Sequence, residues 1–200
     1  MSKTKQKTKT DILECTIPLF AKHGYDKVSM RQIAEAVGIK AASLYHHFPD
    51  KQALYIEALS QAFSGHADFM SESFALKVNP EQRLRQLILQ LCTLVSEDPD
   101  FSRLMQREIM DGDEKRLQFL ADNVFRDFFN DMNALCLSFA PEQDPHLMTV
   151  SVLGLVVYHF QLSPVRSFLP GFQNSHNDPE VVARHILTLL KNGYAKALME

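Results

Sequence analysis

An all-helical fold is what this sequence predicts, and three observations carry the prediction. Seven glycines in 200 residues leave little material for tight hairpins, while 46% hydrophobic residues are enough to fill a core. Apolar residues recur three and four positions apart, the spacing of one helix face, over most of the chain. Five of the nine prolines directly follow Asn, Asp or Ser, at Asn79-Pro80, Asp98-Pro99, Asp144-Pro145, Ser163-Pro164 and Asp178-Pro179. Such a pair starts a helix: proline tolerates the first helical position, and the residue before it accepts an orphan backbone hydrogen bond.

Taken in order, the first helix runs from about 10 to 23 and is ended by Gly24, with Ile12, Thr16 and Phe20 on one stripe flanked by Ile17 and Ala21. Pro18 falls inside it, which removes one intrahelical bond and predicts a bend on the solvent side. The second spans 30 to 37, opened by the capping box Ser-Met-Arg-Gln at Ser29 and closed by Gly38, with Ile33, Ala34 and Val37 facing inward. The third spans 41 to 47, and Leu44 and Phe48 complete the cluster. Asp50 caps a long helix from Lys51 to about Leu76. Further helices are read at 80 to 96, 99 to 110 (stopped by Gly112), 114 to 139 (stopped before Pro141), 145 to 162, a turn or two near 165, and 179 to 198.

Charge is unevenly divided. Residues 1 to 51 hold nine Lys and Arg against five acids, +4, and the remainder twelve against nineteen, −7, which hints at a small nucleic-acid-facing part on an acidic body. The first ten residues, MSKTKQKTKT, supply all of that +4. They read as a basic flexible tail that aids solubility, with a minor-groove arm as the alternative. No apolar stretch of signal-peptide length follows, so a cytoplasmic protein is expected. Cys15, Cys92 and Cys136 lie far apart on helical patterns, as buried thiols do, and no histidine spacing demands a metal.

Helices of two turns are marginal alone, so the first three must share a core. A turn through Gly38 ties the second to the third, which projects as a ridge of Lys40, Ala41, Ala42, Ser43, Tyr45, His46 and His47. Small residues let that backbone approach base edges in a major groove roughly 12 Å wide, while cations and hydroxyls reach phosphates. This is a helix-turn-helix reader of double-stranded DNA. The stretch from Ile12 to Tyr55, with Phe20, Gly24-Tyr25, Ser29, Ile33-Ala34, Gly38, Leu44-Tyr45, His47-Phe48, Lys51 and Leu54 in order, closely resembles the DNA-binding domain of the tetracycline-repressor (TetR) family.

The resemblance implies an all-helical homodimer whose variable C-terminal domain binds a small molecule and dimerises. Residues 1–10 are then the tail, 11–50 the helix-turn-helix DNA-binding domain, and 51–200 the effector-binding and dimerisation domain. Carried onto matching positions, it places Arg31 near a base or phosphate, Ala41, Ala42 and Ser43 at base edges, Tyr45 and His47 on phosphates, and Lys51 on another; Ser29 and His46 complete the DNA-facing set. One departure matters here. Lys40 stands where the family usually has Ser or Thr, a natural N-cap, so either the start of the third helix shifts or Lys40 itself reaches DNA.

In the body, DPHLMTVSVLGLVVYHFQL is apolar nearly all round and needs cover on two sides. Val152, Leu155 and Val156 there, with Val182, Ile186, Leu189 and Leu190 on the last helix, are the expected dimer interface, and Gly154 and Gly193 would permit close approach. A two-fold dimer reads half-sites about one helical turn apart, ~34 to 36 Å, or more, so the operator should be palindromic. Phe101, Met105, Glu108, Phe125, Phe128, Phe129, Tyr158 and His159 are the candidate lining of an effector pocket. The resemblance further implies that a ligand shifts the sixth helix against the fourth, a coupling of ~1 to 3 kcal/mol in typical cases. No Gly-rich phosphate loop and no nucleophile triad in strand context is present, so no catalytic residue, metal or cofactor is assigned. The expected function is a ligand-released repressor. The alternative is an effector-independent architectural or cell-division DNA-binding protein of the same fold.

Overall fold

A computed structural model describes residues 7–75 and 77–197. Eleven α-helices follow one another among them, without a strand: α1 (Lys9–His23), α2 (Met30–Val37), α3 (Ala41–His47), α4 (Lys51–Ala75), α5 (Pro80–Glu97), α6 (Pro99–Asp111), α7 (Glu114–Leu120), α8 (Arg126–Phe139), α9 (Pro145–Gln161), α10 (Ser163–Arg166) and α11 (Pro179–Ala197). A π-helical turn, Ala121–Phe125, links α7 to α8, and a 3-10 turn, Asn174–Asn177, precedes α11. Contacts group the chain into two compact units, Met1–Gly65 with Asp100–Val124, and His66–Pro99 with Phe125–Glu200. Of the basic tail, residues 1–6 lie outside the described residues.

In the first unit the predicted core is in place: Ile12, Phe20, Ile33, Leu44 and Phe48 are completely buried, and Thr16, Ala34 and Val37 join them. Burying a side chain such as Leu44 is worth ~1.5–3 kcal/mol, which is how a seven-residue helix survives. α1 starts earlier than expected because Thr8 and Asp11 form a reciprocal capping box, and Pro18 stands on its exposed side. Ser29 and Gln32 form the box predicted for α2. Gly38 takes the left-handed conformation (φ 77°), and the chain turns there as Ile39 N–H reaches back to the Ala34 carbonyl at 2.9 Å. α3 begins at Ala41 with no side-chain cap, so lysine at position 40 leaves the start of the helix unshifted.

In the second unit α5 packs on α9 and α11, and α8 packs on α9. Leu87, Ile88 and Cys92 of α5, Met132 and Cys136 of α8, Val152 and Val156 of α9, and Val182 and Ile186 of α11 are all buried. The Asx-Pro starts at Asn79 and Asp144 each cap their helix through the side-chain oxygen, at 2.8 and 3.0 Å. One expectation is corrected: 114 to 139 is two helices rather than one. The π-helical turn accommodates an extra residue per turn, and Asn123 and Gln118 bond locally there, to the Phe119 carbonyl and Asp122. Periodicity alone does not register such a local widening. Among the described residues no helix is long and apolar enough to cross a membrane.

Candidate nucleic-acid interface

α3 divides cleanly. Leu44 points into the core, completely buried, while Lys40, Ala41, Ala42, Ser43 and His46 are exposed, Tyr45 is 51% exposed and His47 half-buried. The outward ridge therefore carries small residues at its first turn and a phenol and two imidazoles at its end. Arg31, at the start of α2, is exposed as well. Among the described residues no ion pair is formed by Lys40 or Arg31, which leaves both cations available.

Two of the nominated residues have structural duties. The Ser29 hydroxyl accepts the Gln32 amide at 3.3 Å, so its oxygen serves the cap of α2. Lys51 is half-buried: its ammonium donates to the Tyr25 carbonyl at 2.9 Å and lies 4.1 Å from the Tyr25 ring centroid. An ammonium has three donors, so this contact holds Lys51 beside α3 with two to spare. Asp50 caps α4 through the Ala53 amide at 2.8 Å, which spends its negative charge on a helix start.

The same unit holds a polar cluster that the sequence did not reveal. Glu108 of α6 is completely buried; it accepts the Tyr55 hydroxyl at 2.5 Å and the Arg116 Nε at 2.8 Å. Arg116 also meets Asp111 and Asp113, at 3.4 and 3.6 Å, and its guanidinium lies over the rings of Tyr25 and Tyr55, at 5.1 and 5.5 Å. Burial opposes the charge on Arg116, but the hydrogen bond and the charge of Glu108 outweigh it and hold its pKa above the ordinary value. Burial first, and then Glu108, push the Tyr55 hydroxyl far above its ordinary range, so it remains a donor. The neighbouring Arg107 closes the end of α1, donating from Nε to Ala21 O at 3.0 Å and from Nη2 to Lys22 O at 2.8 Å. Adjacent Arg and Glu on α6 were legible as polar; their partners, 53 and 86 positions away, were not.

The nominated body residues divide between the two units. Phe101, Met105 and Glu108 belong to the first unit, Phe125, Phe128, Phe129, Tyr158 and His159 to the second. Glu108 is engaged in a buried ion pair with Arg116. Phe101 packs edge-on to Phe63, Phe128 on Phe74, and Phe129 against His146. Tyr158 is 61% exposed, and His159 sits 5.7 Å from the His185 ring. Val152, Val156, Val182 and Ile186 are all buried within the chain itself. Leu155 and Leu190 are half-buried and Leu189 exposed. The outward apolar stripe of α9 is Leu147, Val150 and Tyr158, beside Gly154, where a methyl in place of the glycine hydrogen would meet nothing within 4 Å. Because α9 is apolar nearly all round, its pattern alone did not tell which side faced inward.

Comparison with known proteins bears on the same segment. Residues 12–58 match the family model of bacterial regulatory proteins, tetR family. The HTH-type transcriptional repressor KstR of Rhodococcus jostii is 30% identical over 112 residues, 56% of this chain and 52% of that protein. The nucleoid occlusion factor SlmA of Shewanella baltica is 27% identical over 122 residues, 57% of this chain and 58% of that protein. The chain thus spans little more than half the length of these curated relatives. The TetR family transcriptional regulator PfmR of Thermus thermophilus has the same fold with a TM-score of 0.70 and 25% identity, over 92% of this chain and 95% of that one. The transcriptional regulator FadR of Bacillus subtilis, in complex with stearoyl-CoA, shares the fold alone, with a TM-score of 0.75 and 15% identity over 92% and 97%. With a buried three-helix core, an exposed third helix and that family match over the same residues, residues 12–58 of this chain form a DNA-binding domain of the tetR family of bacterial regulatory proteins.

Proposed function

We propose that this protein is a ligand-responsive transcriptional regulator, acting as a homodimer that reads a palindromic operator and is released from it by a small-molecule effector. The observation that carries the reading is the exposed Lys40–His47 face standing over a completely buried Leu44. Ala41, Ala42 and Ser43 meet base edges; Tyr45, His47, Arg31 and Lys51 contact phosphates, and Lys40 adds a cation at the start of the helix. Operator affinity should fall steeply with salt, and Lys40→Ala should weaken binding evenly across sequences while lowering the salt slope by about 1.

Two copies bring two such faces to DNA. The exposed Leu147, Val150, Tyr158 and Leu189 give α9 and α11 an apolar outer side suited to a second copy. The effector class is drawn from the neighbour bound to stearoyl-CoA: an acyl thioester, with repression relieved when it binds. The deciding experiment is selection of genomic fragments by the purified protein, followed by footprinting with and without stearoyl-CoA. An inverted repeat, protected less strongly when the thioester is added, is the expected result. Protection lacking any inverted repeat overturns the symmetric reading. A second reading, an effector-independent DNA-binding protein of cell division, is favoured by the likeness to the nucleoid occlusion factor. It predicts many dispersed sites and a footprint that no thioester changes.

A further inference from the structure

A cavity of about 400 Å³ opens in the second unit, lined by the beginning of α5, the end of α8 and the middle of α11. That volume lies within the ~300–1,000 Å³ of ordinary small-molecule sites. Its apolar part is Leu84, Phe139, Leu187 and Leu190, and its polar part is mainly Arg85, Arg184 and Lys191. The charge balance there is inverted. The unit as a whole has eight Lys and Arg against twelve Asp and Glu, yet three of the cations and one carboxylate, Glu81, reach this cavity. Glu81 meets Lys191 at 3.7 Å with both side chains largely exposed, a pairing of little strength. Arg85 and Arg184 form no ion pair among the described residues.

Long cationic side chains often drape their stems over apolar surface with the head in water. That habit explains one such residue over one apolar patch. It does not explain three cations facing a single carboxylate around one cavity in an acidic unit, because Glu81 offsets only one of the three charges and the remainder repel one another until an anion enters. Guanidinium groups match carboxylate and phosphate oxygens two bonds at a time. We infer that this cavity binds an amphipathic anion, its carboxylate or phosphate head held by Arg85 and Arg184 with Lys191 beside them, and its short apolar body laid on Leu84, Phe139 and Leu187. The inference goes beyond the regulator reading and does not depend on it.

The test is calorimetric titration of the full chain with sodium decanoate, decyl phosphate and uncharged decanol. One saturable site per chain is expected for the anions, with decanol at least tenfold weaker; the stronger of the two anions identifies the head group. Arg85→Ala combined with Arg184→Ala should weaken anion binding at least tenfold while the thermal melt stays where it was, since both side chains are exposed. Absence of saturable heat, decanol binding as tightly as decanoate, or undiminished binding by the double variant overturns the proposal. So does a result in which Arg184→Glu changes the sedimenting mass and no anion binds, because the cavity then belongs to a second copy of the chain. DNA binding is measured on the same preparations, so a failed titration beside intact operator binding rejects this site and leaves the regulator reading standing.

Discussion

A carboxylate with no exposure at all is the most consequential side chain in the molecule. Glu108 is tolerable in the interior because Tyr55 and Arg116 both donate to it, and because Asp111 and Asp113 help neutralise the guanidinium. Removing Glu108 leaves the Tyr55 hydroxyl without its acceptor and Arg116 with only the partly exposed Asp111 and Asp113. Glu108→Ala should therefore destabilise the first unit by about 3–5 kcal/mol, seen as a lower unfolding midpoint in urea. A change below about 1 kcal/mol would mean that the site admits water. His159 supplies a second expectation. Burial, then His185 and Arg166, hold its pKa below the ordinary 6.5, so the folded ring binds its proton less tightly than the unfolded one. Its contribution to stability is whole above pH 6.5 and is lost as pH falls from 6.5 toward the lowered folded value. Melts taken between pH 7 and pH 5 should show this loss, and His159→Gln should shrink it.

Elements are held by their ends as much as by their faces. Thr8 and Asp11 close the start of α1, Ser29 and Gln32 that of α2, and Asp50 that of α4, each by a bond from a side chain three residues away. The end of α1 is different, because its closing donors come from Arg107 on α6. Arg107 Nη1 would lie only 3.0 Å from a side-chain carbon at Gly24, where φ is 79°, so glycine is needed there for space and for conformation alike. Arg107→Ala should release the last turn of α1, and the Gly24 amide, bonded to Phe20 O at 2.8 Å, should exchange its hydrogen at least tenfold faster. Unchanged exchange at Gly24 would show that α1 closes without this arginine. The caps at Ser29 and Asp50 were legible because they lie within four residues; the Arg107 closure was not, because it joins positions 86 apart.

For the assembled molecule, the expectation concerns the outer sides of α9 and α11. Val152, Val156, Val182 and Ile186 are buried in the chain's own core, and in the homodimer proposed above Leu147, Val150, Tyr158 and Leu189 would meet the second copy. Tyr158→Asp with Leu189→Asp should yield a single-chain particle in sedimentation and weaken operator binding at least tenfold, because two linked reading heads bind with the advantage of effective concentration. Both residues are exposed, so the folded melt should survive. A particle whose mass is unaltered by these changes would move the interface elsewhere.

The all-helical character, the helix starts and the inward and outward sides of α3 were readable from the order of residues. The interactions behind them are short in sequence: a cap three positions from its amide, a glycine at a left-handed turn, a Leu44 that alone among its neighbours is large and apolar. The split of residues 114 to 139 by a π-helical turn, the burial of Glu108 between Tyr55 and Arg116, and the choice of which stripe of α9 turns inward came from the folded chain. Each depends on contacts between positions far apart, and an apolar helix surface or a lone carboxylate looks the same in a sequence whichever neighbour it meets.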